Sequence, residues 1–482
     1  MTLPADLLAD LRAAVGDAHV WTDPARLAPH EVEDRGRWKG HALAVVRPAS
    51  TDEVSAVVRL CHAARVPMVP QGGNTGLVGG GVPDGAVVIA MGRMNRIRAV
   101  DPLNATLTVE AGCTLAAIQT AADDAGQLFP LSLASQGTCQ IGGNLSTNAG
   151  GTAVLRYGTT RDLVLGIEAV LPSGEVLNTL SALRKDNTGY ALRDLMIGAE
   201  GTLGIITAAV LRLFPRPAAT VTAMAACAGP EQALAIFDIL RARCGDSLGA
   251  FEYIERFGIQ MVLDHLPGAR DPLADPHPAY VLIELTSPDP GAGLEARMER
   301  ALAQAMEDGL IPDAVIATSQ TQSQALWSLR EAMSDMQKHA GASIKHDVAV
   351  PVSRVAEFIT RGIAACRTHM PDVRPCPFGH FGDGNIHFNL TRPATMTDAD
   401  FLAHYDAFNR IVHDLVAGMG GSISAEHGIG LAKRDELPLY KDRVALALCR
   451  TIKAAIDPDN LMNPGKVIAM HDTPSRPLER IA

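Results

Sequence analysis

Aromatic residues are scarce in this chain, at 4% of 482 positions, and so are long apolar runs. A membrane-spanning helix needs about 20 consecutive apolar residues, and no window provides them, so no transmembrane segment is expected. The first fifteen residues carry Asp6, Asp10 and Arg12 and lack the basic start and unbroken apolar core of a secretory signal. Positive charge is also short: 42 Lys and Arg against 53 Asp and Glu leave a net charge of -11. That argues against a nucleic-acid partner, because phosphate backbones are held by clustered Lys and Arg. The eight cysteines (61, 113, 139, 227, 244, 366, 376 and 449) include no CxxC pair. An iron–sulfur cluster and a disulfide framework are both disfavoured, and a reducing cytoplasm fits.

What is present is globular. The chain is 47% hydrophobic and 20% charged, and it is too long for a single core. Ser50 and Glu53 form a capping box before the apolar face Val54, Val57, Val58 and Cys61. Strands are expected over 66–70, 86–91 and 105–110, a helix over 114–125, and a hairpin from 164–171 to 175–179 around Pro172-Ser173-Gly174. A strand over 202–214 runs into Pro215-Arg216-Pro217, which marks the first boundary. Beyond it, longer helices over 230–243, 291–308 and 324–340 alternate with strands over 280–286 and 342–350. A closing helix covers 443–456, and the tail after Met470 reads as loose.

Two glycine-rich segments stand out. Pro70-Gln71-Gly72-Gly73-Asn74-Thr75-Gly76-Leu77-Val78-Gly79-Gly80-Gly81 places six glycines in ten residues after a buried-looking strand. Gly137-Thr138-Cys139-Gln140-Ile141-Gly142-Gly143-Asn144-Leu145-Ser146-Thr147-Asn148-Ala149-Gly150-Gly151 again mixes glycines with small hydrogen-bonding side chains. Such loops let backbone N–H groups converge on an anion; alone, the first could equally be a flexible surface loop. Neither is a GxGxxG opening a helix nor a GxxxxGK[ST], which leaves a loop-built cradle for a long anionic dinucleotide.

With Tyr157-Gly158, Arg161-Asp162 and Glu200-Gly201-Thr202-Leu203-Gly204-Ile205-Ile206-Thr207, these segments resemble the FAD-binding domain of the vanillyl-alcohol oxidase / p-cresol methylhydroxylase superfamily. The resemblance implies cofactor contacts from Pro70, Gly72, Gly73, Asn74, Thr75, Gly76, Leu77 and Gly79 in the first loop. It implies others from Gly137, Thr138, Gly142, Gly143, Asn144, Thr147, Asn148, Gly150 and Gly151, and from Tyr157, Gly158, Glu200, Gly201, Gly204, Ile206 and Asn463. Some relatives link the flavin through His or Cys. The first loop here holds Gly73-Asn74 and no histidine, so noncovalent FAD is expected, with Cys139 in a segment where some relatives carry a linking cysteine.

A second constellation lies at Pro377-Phe378-Gly379-His380-Phe381-Gly382-Asp383-Gly384-Asn385-Ile386-His387-Phe388-Asn389-Leu390, which reads as strand, turn, strand. His387 and Asn389 are two apart and share a face, and a hairpin brings His380 towards them. Ser424-Ala425-Glu426-His427-Gly428 adds a carboxylate and an imidazole. Two imidazoles and a carboxylate suit Zn²⁺ or Mn²⁺; a hydrogen-bonded hairpin histidine is the plainer alternative. Arg330 and Ser334, one helical turn apart, and Lys345 in the next strand either hold a carboxylate or form a solvated face.

This pattern resembles the D-2-hydroxy-acid dehydrogenase branch, and within it the D-2-hydroxyglutarate dehydrogenases. The resemblance implies metal ligands His380, His387 and Glu426, a general base His427, and substrate contacts from Arg330, Ser334, Lys345 and Asn389. Ser334 stands where that branch has Thr. The fold implied is α+β: a two-subdomain FAD-binding domain over 1–217, a substrate (cap) domain over 218–422, and a C-terminal segment over 423–482 returning to the FAD domain. The activity implied is oxidation of D-2-hydroxyglutarate to 2-oxoglutarate, with electrons passed to an external electron-transfer flavoprotein or quinone, in a homodimer. D-lactate, D-malate or glycolate as substrate is the near alternative. A zinc hydrolase and a noncatalytic metal-binding protein are alternatives of another class.

Overall fold

The computed structural model describes residues 3–470, and the tail expected to be loose lies outside them. The chain divides into two compact units. One comprises Met1–Gly150, Gly158–Pro215 and Glu426–Ala482; the other comprises Gly151–Tyr157 and Arg216–Ala425.

In the first unit, strands Val20–Trp21, His41–Val46, Asp84–Ala90 and Met68–Gln71 form a four-stranded sheet in that order. Helix Thr51–Ala63 buries Val54, Val57, Val58 and Cys61 completely, the expected apolar face. Its cap departs from the reciprocal box. The Ser50 hydroxyl accepts from Glu53 N, but the Glu53 carboxylate reaches one residue further back, to Ala49 N at 2.7 Å. A five-stranded antiparallel sheet follows, in the order Ile97–Asp101, Thr106–Glu110, Ile205–Arg212, Val164–Val170, Val176–Thr179. The hairpin around Ser173 is there, with Leu171 N bonded to Glu175 O.

The second unit is one seven-stranded antiparallel sheet. Its order is Ala314–Ile316, Ala219–Cys227, Ala279–Ser287, Leu248–Glu255, Arg374–Gly379, Asn385–Thr391, Ser343–Ala349. Helices Pro230–Cys244, Leu294–Glu307, Val355–His369 and Tyr405–Gly418 cover one face, packing on Phe251, Tyr253, Ile344 and Phe388. Helices Arg256–His265 and Gln320–Glu331 cover part of the other, over Met224, Ile254, Leu282 and Phe378. The rest of that second face is polar.

The helix expected over 324–340 differs. It starts earlier, at Gln320, because the Ser319 hydroxyl caps it by accepting from Gln322 N. It ends at Glu331, and Met333–Met336 and the 3₁₀ turn Gln337–Ala340 follow as separate pieces. Ala332 has ψ -15°, well off the helical value, so the next turn is re-aimed. Arg330 and Ser334 therefore do not sit on one regular helix.

Candidate active site

The two glycine segments run side by side in the first unit. A Cβ on Gly73 would stand 2.1 Å from Thr138 O, and one on Gly72 would stand 3.3 Å from the Gln140 side chain. A Cβ on Gly142 would meet that of Ala111 at 2.8 Å. Gly201, at φ +71°, lies so close to Pro70 that a Cβ there would come within 2.5 Å of its ring. By contrast Gly76, Gly137 and Gly143 have open space on the Cβ side. Several of the polar side chains expected to touch cofactor also hold the loops together. Asn74 donates to Pro29 O and Val32 O, the Thr147 hydroxyl donates to Gly143 O, and Asn148 Oδ1 accepts from Arg161 N.

Other groups in this unit look for a partner. Gln140 Oε1, Asn144 Oδ1 and Asn463 Oδ1 are buried without a hydrogen-bond partner among the described residues. Such acceptors fit the hydroxyl and imide N–H donors of a flavin dinucleotide, so the cradle suits FAD. Gly151 and Tyr157, expected beside the cofactor, fall in the short stretch belonging to the other unit.

Glu200, also expected along the cofactor, is buried with its carboxylate turned to the C-terminal stretch. It accepts from Ile429 N at 2.7 Å and Gly430 N at 2.8 Å, and burial pushes its pKa up against those bonds. The Asn463 amide donates to Gly80 O and Glu200 O. Lys466, unnoticed in the sequence, is buried nearby, and burial lowers its pKa to about 8 against the pull of Asp84 and Glu200. Glu426 and His427 open this stretch, with His427 Nε2 3.8 Å from Glu426 Oε1. Gly428 follows at φ +86°, pressed so closely on Glu200 that a Cβ would lie 2.7 Å from Oε1.

The polar part of the second unit's sheet is built by register. Strand Ser343–Ala349 pairs Lys345 with Asn389 and Asp347 with His387, so these four side chains share a face. Phe378 lies opposite His387 on the other side, their rings 5.2 Å apart. His380 follows the end of strand Arg374–Gly379, its ring centroid 5.4 Å from that of His387. The turn that allows this uses Gly384 at φ +90°, where a Cβ would strike Val350 O.

Two carboxylates that sequence reading missed complete the group. Glu252 accepts from His380 Nδ1 at 2.7 Å and from Arg330 Nε at 2.5 Å, and all three side chains are buried. Burial alone would raise its pKa, but the Arg330 charge and then His380 hold it at about 2. Asp347, buried, accepts from Asn385 and brings a ligand atom within 4.8 Å of one on His387. The available signal was an acid inside a strand segment, Glu252 between Phe251 and Tyr253 for one and Asp347 between His346 and Val348 for the other.

The expected substrate residues are placed as follows. Arg330 lies over the Phe378 ring, its guanidinium carbon 4.9 Å from the centroid. Lys345 Nζ donates to Ser334 O at 3.3 Å, while Asn389 donates to Gln337 Oε1 at 2.8 Å. Imidazoles and carboxylates in this combination are a donor set for Zn²⁺ or Mn²⁺.

Residues 42–180 match the family described as FAD binding domain, and residues 216–467 match FAD linked oxidases, C-terminal domain. A protein of Xanthomonas citri pv. viticola named D-2-hydroxyglutarate dehydrogenase is 39% identical, covering 96% of this chain and 97% of its own. A mitochondrial protein of that name from Bos taurus is 38% identical over 97% of this chain and 84% of its own, and one named as probable from Oryza sativa subsp. indica is 38% identical over 97% and 82%. Among solved structures, p-cresol methylhydroxylase aligns with a TM-score of 0.75 at 17% identity over 96% of both chains. Alkyldihydroxyacetonephosphate synthase aligns at 0.73 and 19%, over 96% of this chain and 85% of its own. The fold and the relatives agree with the glycine cradle: the chain belongs to the FAD-dependent D-2-hydroxy-acid dehydrogenases of the vanillyl-alcohol oxidase / p-cresol methylhydroxylase superfamily.

Proposed function

We propose that this chain oxidises D-2-hydroxyglutarate to 2-oxoglutarate with noncovalently bound FAD and a divalent cation, and passes the electrons to a separate acceptor. The observation that carries the choice of a dicarboxylate is the meeting of Lys345 Nζ with Ser334 O on the face that also bears Asn389 and His387. It gathers cationic and hydrogen-bonding groups suited to a second carboxylate. The names of the relatives point the same way.

In this reading Lys345, Arg330 and Ser334 hold the distal carboxylate, and Asn389 orients the α-end. His380, His387 and Glu426 hold the cation, with Asp347 beside His387. His427 takes the α-hydroxyl proton as general base. Bound FAD supplies the two-electron acceptor for the Cα hydride, and the cation supplies Lewis acidity to the substrate's α-oxygens. An electron-transfer flavoprotein or quinone then reoxidises the enzyme.

The test is a panel of D- and L-2-hydroxy acids mixed anaerobically with the purified protein while flavin bleaching is followed. D-2-Hydroxyglutarate should bleach the flavin fastest and L-acids should not bleach it. A faster reaction with D-lactate would overturn the dicarboxylate reading. A chelator should stop turnover without releasing flavin; unchanged turnover would refute the cation's role.

A further inference from the structure

The sheet position of Glu252 needs no charge for packing. Its cross-strand neighbour is Leu282, its next neighbour on the same face is Ile254, and Met224 lies one strand beyond. A buried ion pair gains little over apolar residues of the same volume. Yet both carboxylate oxygens are engaged, one by His380 and one by Arg330.

Those two bonds have separate consequences. A hydrogen bond from Nδ1 to a carboxylate fixes the imidazole tautomer and orientation and raises the basicity of the ring towards a cation. On the other side, Glu252 takes Nε of Arg330, while neither Nη makes a hydrogen bond among the described residues. The guanidinium is therefore held at its Nε by Glu252 and lies over the Phe378 ring, with its terminal fork turned to an incoming carboxylate.

We propose that Glu252 is a positioning residue that ties the cation-binding imidazole His380 to the carboxylate-binding guanidinium Arg330, and so sets which length of hydroxy diacid fits between them. This rests on the function proposed above. One carboxylate then couples two steps of recognition: moving it disturbs cation binding and substrate choice together.

The test uses the full-length flavoprotein and its Glu252→Gln and Glu252→Asp variants. Zinc affinity is read by competition with a chromophoric chelator, and kcat/KM is measured for D-2-hydroxyglutarate and D-lactate. Glu252→Gln should weaken zinc binding ten- to a hundredfold and lower the preference for the diacid at least tenfold, with flavin content unchanged. Glu252→Asp keeps the charge and should show both shifts more weakly. Zinc affinity within twofold of wild type and an unaltered preference, in whichever variant folds, would overturn the proposal and leave a merely structural ion pair. In wild-type protein labelled with ¹⁵N-histidine, His380 should be the Nδ1–H tautomer. An Nε2–H tautomer would overturn the proposal whatever the variants do. Wild type that binds neither zinc nor manganese sinks the functional reading and this one together, whereas zinc-binding wild type with unaffected variants sinks this one alone.

Discussion

At the scale of single residues, His427 and Lys345 test different parts of the chemistry. His427→Ala should keep FAD and cation but lose kcat by roughly two to four orders of magnitude, as removal of a general base does. Cation content and kcat measured on one preparation decide it, because loss of the cation would make His427 a support for Glu426. Lys345→Met should cost D-2-hydroxyglutarate about ten- to a hundredfold in kcat/KM, the worth of a charged hydrogen bond, and D-lactate much less. Equal losses would make Lys345 a contact to the shared α-carboxylate. The histidines were legible because their spacing is local: a turn and a two-residue period place His380, His387 and Asn389. Glu252 was not legible, because its partners lie 78 and 128 residues away and only the sheet order brings them in.

At the scale of elements, the glycine loops and the strand Leu248–Glu255 carry predictions. Gly73→Ala drives a methyl into a backbone carbonyl of the second loop, so the variant should keep its circular dichroism but lose most of its flavin absorbance. Gly76→Ala meets nothing and should fold like wild type; flavin loss there would locate the cofactor on that side. Glu255 has its pKa raised from 4.5 to about 7 by burial, against the pull of Arg367. A carboxyl so raised stabilises the fold fully below about pH 4.5, and that contribution is lost as pH rises through 7. Glu255→Gln should therefore flatten the fall of Tm between pH 5 and 8, a difference of at most about 3 kcal/mol. A parallel pH profile in the variant would refute the shift. Helix Thr51–Ala63 was legible from cap and period, and Arg443–Ile456 stands at its expected bounds. The break at Ala332 was not, since neither Gly nor Pro marks it and only the backbone angle reveals it.

At the scale of the whole chain, the first unit closes on residues far apart in sequence. Met68 N bonds Leu461 O, Asn463 N bonds Met68 O, and Lys453 donates to Thr202 O. A chain ending at residue 425 keeps both glycine segments yet lacks these closures, and should fail to retain FAD on gel filtration; a yellow fragment would show that the cradle stands alone. The sequence marked the Pro215-Arg216-Pro217 boundary through its prolines but gave no sign that residues 151–157 belong with the second unit. There Leu155 packs against Gly382, and Arg156 donates to Thr286 O at 2.8 Å. For anyone exchanging the second unit between relatives to move substrate range, the cut is thus not a single span. A graft of 216–425 alone would inherit a foreign heptapeptide under its sheet, and the seven residues must travel with the insert for the recipient to receive an intact donor surface.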